Sequence, residues 1–187
     1  HTAVNDLAMI RPVVLIDEIP FSELNFDGSL TLQCQDSDFR AAEDFFRKKL
    51  FQWQYFPADM ILPPYFPVQK VMHETGCGLT VEETTLATDV ANNIISHEYE
   101  DLLEDESALS LFHLPEVTYD EIETMRLYTK IGTAIGDILP VRLTGHDSYI
   151  PIWDDIARFR GVTPLLMDLI ERPEYTHQIM EHMTNYY

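Results

Sequence analysis

The chain has 187 residues, of which 45% are hydrophobic, 11% aromatic and 24% charged; that is a globular composition and excludes disorder or a collagen-like chain. Thirty-two Asp and Glu against 12 Lys and Arg give a net charge of −20, which repels phosphate backbones and anionic lipid and excludes nucleic acid and membrane surfaces as expected partners. At ~100–200 residues per domain, one domain or part of a larger one is expected.

No apolar run approaches the ~20 residues of a transmembrane helix. His1 to Asp6 shows no basic region followed by an apolar stretch, so no signal peptide is expected. Two cysteines, Cys34 and Cys77, fit a reducing, cytoplasmic compartment with no disulfide framework.

Pro12-Val13-Val14-Leu15-Ile16 is a short apolar run ended by Asp17-Glu18 and Pro20, which predicts a strand buried on both faces. Asp27-Gly28 centres a turn. After the candidate caps Asp36-Ser37-Asp38, the residues Phe39, Ala42, Phe46, Leu50 and Trp53 recur at spacings of three and four and predict an amphipathic helix that Pro57 ends. Ala58 to Leu62 then reads as a second buried strand, stopped by Pro63-Pro64-Tyr65-Phe66-Pro67. Gly76-Cys77-Gly78 is a turn, and Ile94 to His97 a candidate extended piece.

Thr118-Tyr119-Asp120-Glu121 has the form of a capping box. It opens a helix whose expected buried face is Ile122, Met125, Tyr128 and Ile135, with Gly136 as C-cap. Ile138 to Thr144 predicts a third strand, closed by Gly145-His146-Asp147. A helix through Ile152, Trp153, Ile156 and Phe159 stops at Gly161, a second starts at Thr163-Pro164, and a last one starts at Arg172-Pro173. Strands alternating with helices argue for βαβ units and a parallel sheet, an α/β fold.

Catalytic groups of such folds gather at the C-terminal ends of the strands. There the sequence offers Asp17 and Glu18, then Tyr65 and Phe66, then His146 and Asp147. The expectation is one small-molecule pocket, with Glu18, His146 and Asp147 as acid/base groups, Asp17, Tyr65 and Phe66 contacting substrate, and Trp153 near the rim. Strand-to-helix loops are polar in any case, and Asp147 serves equally as a helix cap. No metal site is expected in the chain. His73 and Cys77 lack a third ligand, His177 and His182 are five apart and share no helix face, and the acidic stretch from Glu98 to Glu106 lacks calcium-loop spacing.

Four segments together resemble one family. They are Arg11-Pro12-Val13-Val14-Leu15, Phe56-Pro57-Ala58-Asp59-Met60-Ile61, Leu139-Pro140-Val141-Arg142-Leu143-Thr144-Gly145, and above all Leu165-Leu166-Met167-Asp168-Leu169-Ile170-Glu171-Arg172-Pro173-Glu174. This pattern resembles the uroporphyrinogen decarboxylase superfamily, which includes methyltransferases that exchange methyl groups with corrinoid proteins. The resemblance implies a TIM-type (β/α)8 barrel, of which residues 1–187 supply roughly the N-terminal half. The partners it implies are a corrinoid protein and either the remaining half of the barrel or a second copy.

Decarboxylases of the group carry an Arg-rich loop after the first strand and an Asp after the second. Here those places hold Asp17 to Glu23, without Arg, and Pro63-Pro64-Tyr65-Phe66, without a carboxylate. A substrate with many carboxylates needs Arg forks to pair them. The methyltransferase branch is therefore the expected one, and its zinc ligands belong to the second half of the barrel. A porphyrin-pathway decarboxylase and a non-catalytic half-barrel that acts as a binding or assembly module are the alternatives.

Overall fold

Asp36 opens the first long helix as its sequence predicts. In the computed structural model, which describes residues 1–86, 95–145 and 149–187, the Asp36 carboxylate accepts from the amides of Asp38 and Phe39 and caps α2 (Ser37–Tyr55). A short helix, α1 (Thr2–Asn5), precedes it. After α2 come strands β1 (Phe66–Gln69), β2 (Val71–Glu74), β3 (Glu83–Leu86) and β4 (Ser96–Tyr99), a 3-10 turn over Glu106–Leu111, and strand β5 (Val117–Asp120). Helix α3 (Glu121–Ile135), strand β6 (Val141–Thr144) and helices α4 (Ile152–Arg160), α5 (Val162–Glu171) and α6 (Pro173–Tyr186) complete the order.

The described strands form three two-stranded pairs, β1 with β6, β2 with β5 and β3 with β4. The β2–β5 and β3–β4 pairs are antiparallel, with Val71 opposite Asp120 and Glu83 opposite Tyr99. The Phe66 amide donates to Pro140 O, and the Lys70 amide to Thr144 O. Those bonds advance along both segments in the same sense, which makes β1–β6 the parallel pair. The chain forms two compact units, residues 1–68 with 125–143 and residues 69–124 with 144–187. Among the described residues no helix is long and apolar enough to cross a membrane.

The core of the first unit is Ala42 of α2, Phe66 and Val68 of β1 and Ile131 of α3, with Phe39, Phe45, Phe46 and Tyr128 packed around them. The N-terminal half of the predicted α2 stripe is thus inside. Its C-terminal half is not: Leu50 and Trp53 are exposed, and Phe51 is buried instead against Phe21, Phe26 and Tyr55. The N-terminal segment supplies Phe21 and Phe26, and they draw the buried face of α2 round by part of a turn. Side-chain ion pairs fasten the start of α2 to α3: Arg126 reaches Asp38 at 2.8 Å, and Lys130 reaches both Asp36 and Asp38 at 2.7 Å.

The two buried strands expected at residues 12–16 and 58–62 are extended chain without a ladder. The segments meet at one residue. Asp59 donates its amide to Val14 O, its carboxylate accepts the Val14 amide, and Arg11 forks the same carboxylate at 2.5 and 2.7 Å. Pro57, Pro63 and Pro64 remove the donors that a longer ladder needs, and Leu15, Ile61 and Leu62 stay more than half exposed. The strand lies instead where the prolines predicted a stop. The amides of Phe66 in β1 and of Lys70 just beyond it point to β6, so the missing amide of Pro67 falls on the opposite flank, where a strand tolerates proline. The third predicted strand is present as β6 and begins at Val141, because the chain turns at Asp137 to Leu139.

The second unit is built on α4, α5 and α6. Ile156, Phe159, Leu165, Tyr175, Ile179 and Met183 form its core with Cys77 and Leu103. Gly161, at φ +81°, joins α4 to α5 in a backbone conformation that strains any L side chain. Pro173 stands in the first turn of α6. Asp168 is the charged centre of this unit. Arg160 Nε reaches its Oδ2 at 2.8 Å, and Arg172 Nε and Nη2 reach Oδ1 and Oδ2 at 2.8 and 3.0 Å; Arg160 also pairs with Asp101.

The capping box expected at Thr118–Glu121 does not form. Thr118 is paired with His73 inside β5, and the cap of α3 is Asp120, whose carboxylate accepts the Glu123 amide at 2.9 Å. Of the face expected for α3, Tyr128 and Ile135 are half-buried, but Ile122 and Met125 are exposed. Thr124 takes the fully buried place: its hydroxyl accepts the Val71 amide and donates to Asp120 O.

Candidate functional site

Among the described residues, the first unit contains a cavity of about 170 Å³, lined by Leu15, Ile16, Asp17, Lys49, Gln52, Pro57, Met60 and Ile61. Three segments make it. The extended chain at 15–17 supplies one wall, α2 supplies Lys49 and Gln52 one turn apart, and the turn after α2 supplies Pro57, Met60 and Ile61. Gln52 Nε2 donates to Ile16 O at 2.8 Å and ties the first wall to the second. The cavity's lining sets Asp17, Lys49 and Gln52 among five apolar residues, and polar atoms make up the larger part of its exposed surface.

Several cations of this unit are committed to acids. Arg11 is forked to Asp59, Arg47 pairs with Glu43 and Lys48 with Asp44. Neither Asp17 nor Lys49 makes an ion pair among the described residues; Lys49 Nζ lies 5.9 Å from the centre of the Phe45 ring. The contrast is legible in the sequence, because Arg47 and Lys48 each have an acid four residues earlier whereas Lys49 has Phe45. Lys49, Gln52 and Met60 are cavity residues that the sequence reading missed. A cation without an acid at helical spacing, in a chain with 32 acids, is the signal that could have found Lys49.

Of the expected site residues, Asp17 lines the cavity. Glu18 follows it as an exposed residue and is not among the lining residues. Tyr65 is half-buried, with the Arg142 guanidinium stacked over its ring at 4.8 Å. Phe66 is a core residue, 5.2 and 5.3 Å from the rings of Phe45 and Phe46. Trp153 stands on the outer side of α4 in the second unit, 47% exposed. His146 and Asp147 lie outside the described residues, as does Ile94. The structure therefore assembles Asp17 with Lys49 and Gln52, and Tyr65 with Arg142.

Asp59 and Glu43 are among the carboxylates of the first unit that are held below their ordinary range. Asp59 lies well below the usual carboxylate range because Arg11 forks it and the Val14 amide donates to it. Glu43 accepts the amides of Cys34 and Gln33 and the Nε of Arg47, which hold it down to about 2. A carboxyl depressed from its ordinary value of about 4.3 contributes stability that is fully present above that pH and is lost as the pH falls towards 2. A carboxyl-carbon NMR titration is expected to place the Glu43 midpoint near 2 in the folded chain; a midpoint near 4 would show that the cap over residues 33–34 is open in solution.

Among the described residues no three His, Cys, Asp or Glu side chains converge as a metal site. His73 lies 3.7 Å from Asp120, Cys77 is in the core, and His182 is stacked on Phe112 at a centroid distance of 5.0 Å. Comparisons with protein-family models, with curated proteins and with solved structures each return no match.

Proposed function

We propose that the chain is part of a (β/α)8 barrel enzyme of the uroporphyrinogen decarboxylase superfamily, and that this enzyme transfers a methyl group between a small molecule and a corrinoid protein. The Leu165–Glu174 run supports the superfamily reading. Its Asp, Arg and Pro act together, the Asp clamped by two guanidiniums and the Pro starting the next helix. The parallel β1–β6 pair is of the kind such a barrel is made from. A whole barrel takes ~250 residues. The apolar side chains that α5 exposes, Val162, Leu166 and Ile170, suit a face covered by the remaining half of the barrel or by a second copy.

The choice between the two chemistries rests on one observation: every one of the eight guanidiniums has a partner in the chain. Arg11, Arg47, Arg126, Arg158, Arg160 and Arg172 pair with carboxylates, Arg40 donates to Cys34 O, and Arg142 stacks on Tyr65. A porphyrinogen with several carboxylates would need unengaged forks close together. Zinc, which the resemblance places in the second half of the barrel, is supplied with no ligand set by the described residues.

The test uses the whole protein in two assays. Incubated with cob(I)alamin and a panel of small methyl donors, it is expected to give the absorbance change of cobalt methylation with at least one donor. Given uroporphyrinogen, it is expected to release no coproporphyrinogen. Porphyrinogen turnover at an ordinary enzymatic rate, about 1–10³ per second, would replace the methyl-transfer reading with the decarboxylase one. Silence in both assays would favour the non-catalytic module.

A further inference from the structure

We propose that the cavity of the first unit binds a small zwitterion, with a carboxylate on Lys49, an ammonium on Asp17 and a short apolar body between them. The charges come first. In a chain of net charge −20, Lys49 pairs with no acid among the described residues, and it shares a cavity with Asp17, a carboxylate that pairs with no cation there. Each is a charge-assisted hydrogen-bonding group, stronger than a neutral donor or acceptor, and each is available to a ligand. A ligand with only a carboxylate would leave Asp17 unmatched beside it. One with only an amine would do the same to Lys49. A molecule bearing both groups satisfies the pair.

The size and the walls narrow the class. About 170 Å³ is below the ~300 Å³ at which drug-sized pockets begin, so the cavity suits an amino acid with a short carbon chain. Leu15, Ile16, Pro57, Met60 and Ile61 line the cavity beside the charges, which suits a short chain of few carbons. Gln52 is tied to Ile16 O, which holds two walls in place before a ligand arrives, and preorganisation of that kind lowers the cost of binding.

The inference stands on the cavity and does not depend on methyl transfer. Its test is a binding measurement on the whole protein, with 4-aminobutyrate, butyrate and butylamine as probes. Titrated into 15N-labelled protein, 4-aminobutyrate is expected to shift the amides of residues 15–17 and 49–52 saturably, in the millimolar range suited to about seven non-hydrogen atoms. Butyrate and butylamine are expected to bind at least tenfold more weakly. Lys49→Met should bring 4-aminobutyrate down to the level of butylamine, Asp17→Asn should bring it down to the level of butyrate, and Lys49→Arg, which keeps the charge, should restore most of the binding. The proposal is overturned if no probe shifts these amides, if the three bind alike, or if Lys49→Met and Asp17→Asn leave the binding unchanged in a protein whose other amide shifts match the parent. None of these results bears on the cobalamin assay, so either reading can fail alone.

Discussion

Replacing Asp168 by Ala is expected to destabilise the second unit by about 3–5 kcal/mol, the cost of removing one partner from a buried ion pair and leaving the other charge uncompensated. Asp168 is 3% exposed and Arg160 is 7% exposed, so the stranded guanidinium has little access to water. Asp101 also pairs with Arg160, but it holds one edge of the guanidinium and cannot replace the fork. Burial by itself would push the Asp168 carboxyl up; the hydrogen bonds from Arg160 and Arg172 outweigh it and hold the group below its ordinary value. The stabilisation is therefore present above the ordinary Asp value of about 3.9 and is lost as the pH falls below it. Asp168→Asn keeps the shape and one acceptor oxygen and is expected to lose less than Asp168→Ala. Urea unfolding of the three proteins at neutral pH measures the order. An Asp168→Ala variant within about 1 kcal/mol of the parent would mean that desolvation of the cluster cancels its attraction.

Ile156→Ala is expected to cost about 2–5 kcal/mol, and Ile156→Val about 0.5–1.5 kcal/mol. Ile156 has no exposed surface and sits on α4 in the cluster with Phe159, Leu165, Ile179 and Met183. Both neighbouring helices supply its contacts, so the space left by a truncation cannot close by moving one side chain. Trp153, three residues earlier on the same helix, is half exposed, and truncating it is expected to change stability by about 0.5 kcal/mol or less. Thermal unfolding of the three variants decides. Equal losses at 153 and 156 would show that α4 presents a different face to α5 and α6 from the one described.

The helices were legible because their signals are local. Asp36 caps α2, Gly161 separates α4 from α5, and Pro173 starts α6, each where a short-range rule places it. Of the three strands expected, only the one at residues 138–144 is present, as β6; the other two were misread because a strand is defined by a partner distant in sequence. Val13 to Ile16 has the composition of a buried strand and makes no ladder, whereas Phe66-Pro67-Val68 has the composition of a break and pairs with β6. Placing the strand ends wrongly had consequences for the site. Phe66, expected as a pocket wall, became core. Asp17 kept a cavity position because Gln52 ties the neighbouring Ile16 carbonyl to α2. Lys49 was missed because α2 was read by its apolar stripe, and the ammonium lies off that stripe.

The proline in β1 also governs how this chain meets other chains. Strands recruit one another through rows of alternating donors and acceptors, and a run such as Phe66–Gln69 is the type of segment that seeds edge-to-edge stacking when it is uncovered during folding. On the flank turned away from β6, residue 67 offers no donor. A strand arriving there from another molecule would find the row broken in its middle and could not extend in register. Replacing Pro67 would restore the row, and with it a route to self-templated deposition that the parent chain keeps closed at this strand by covalent means.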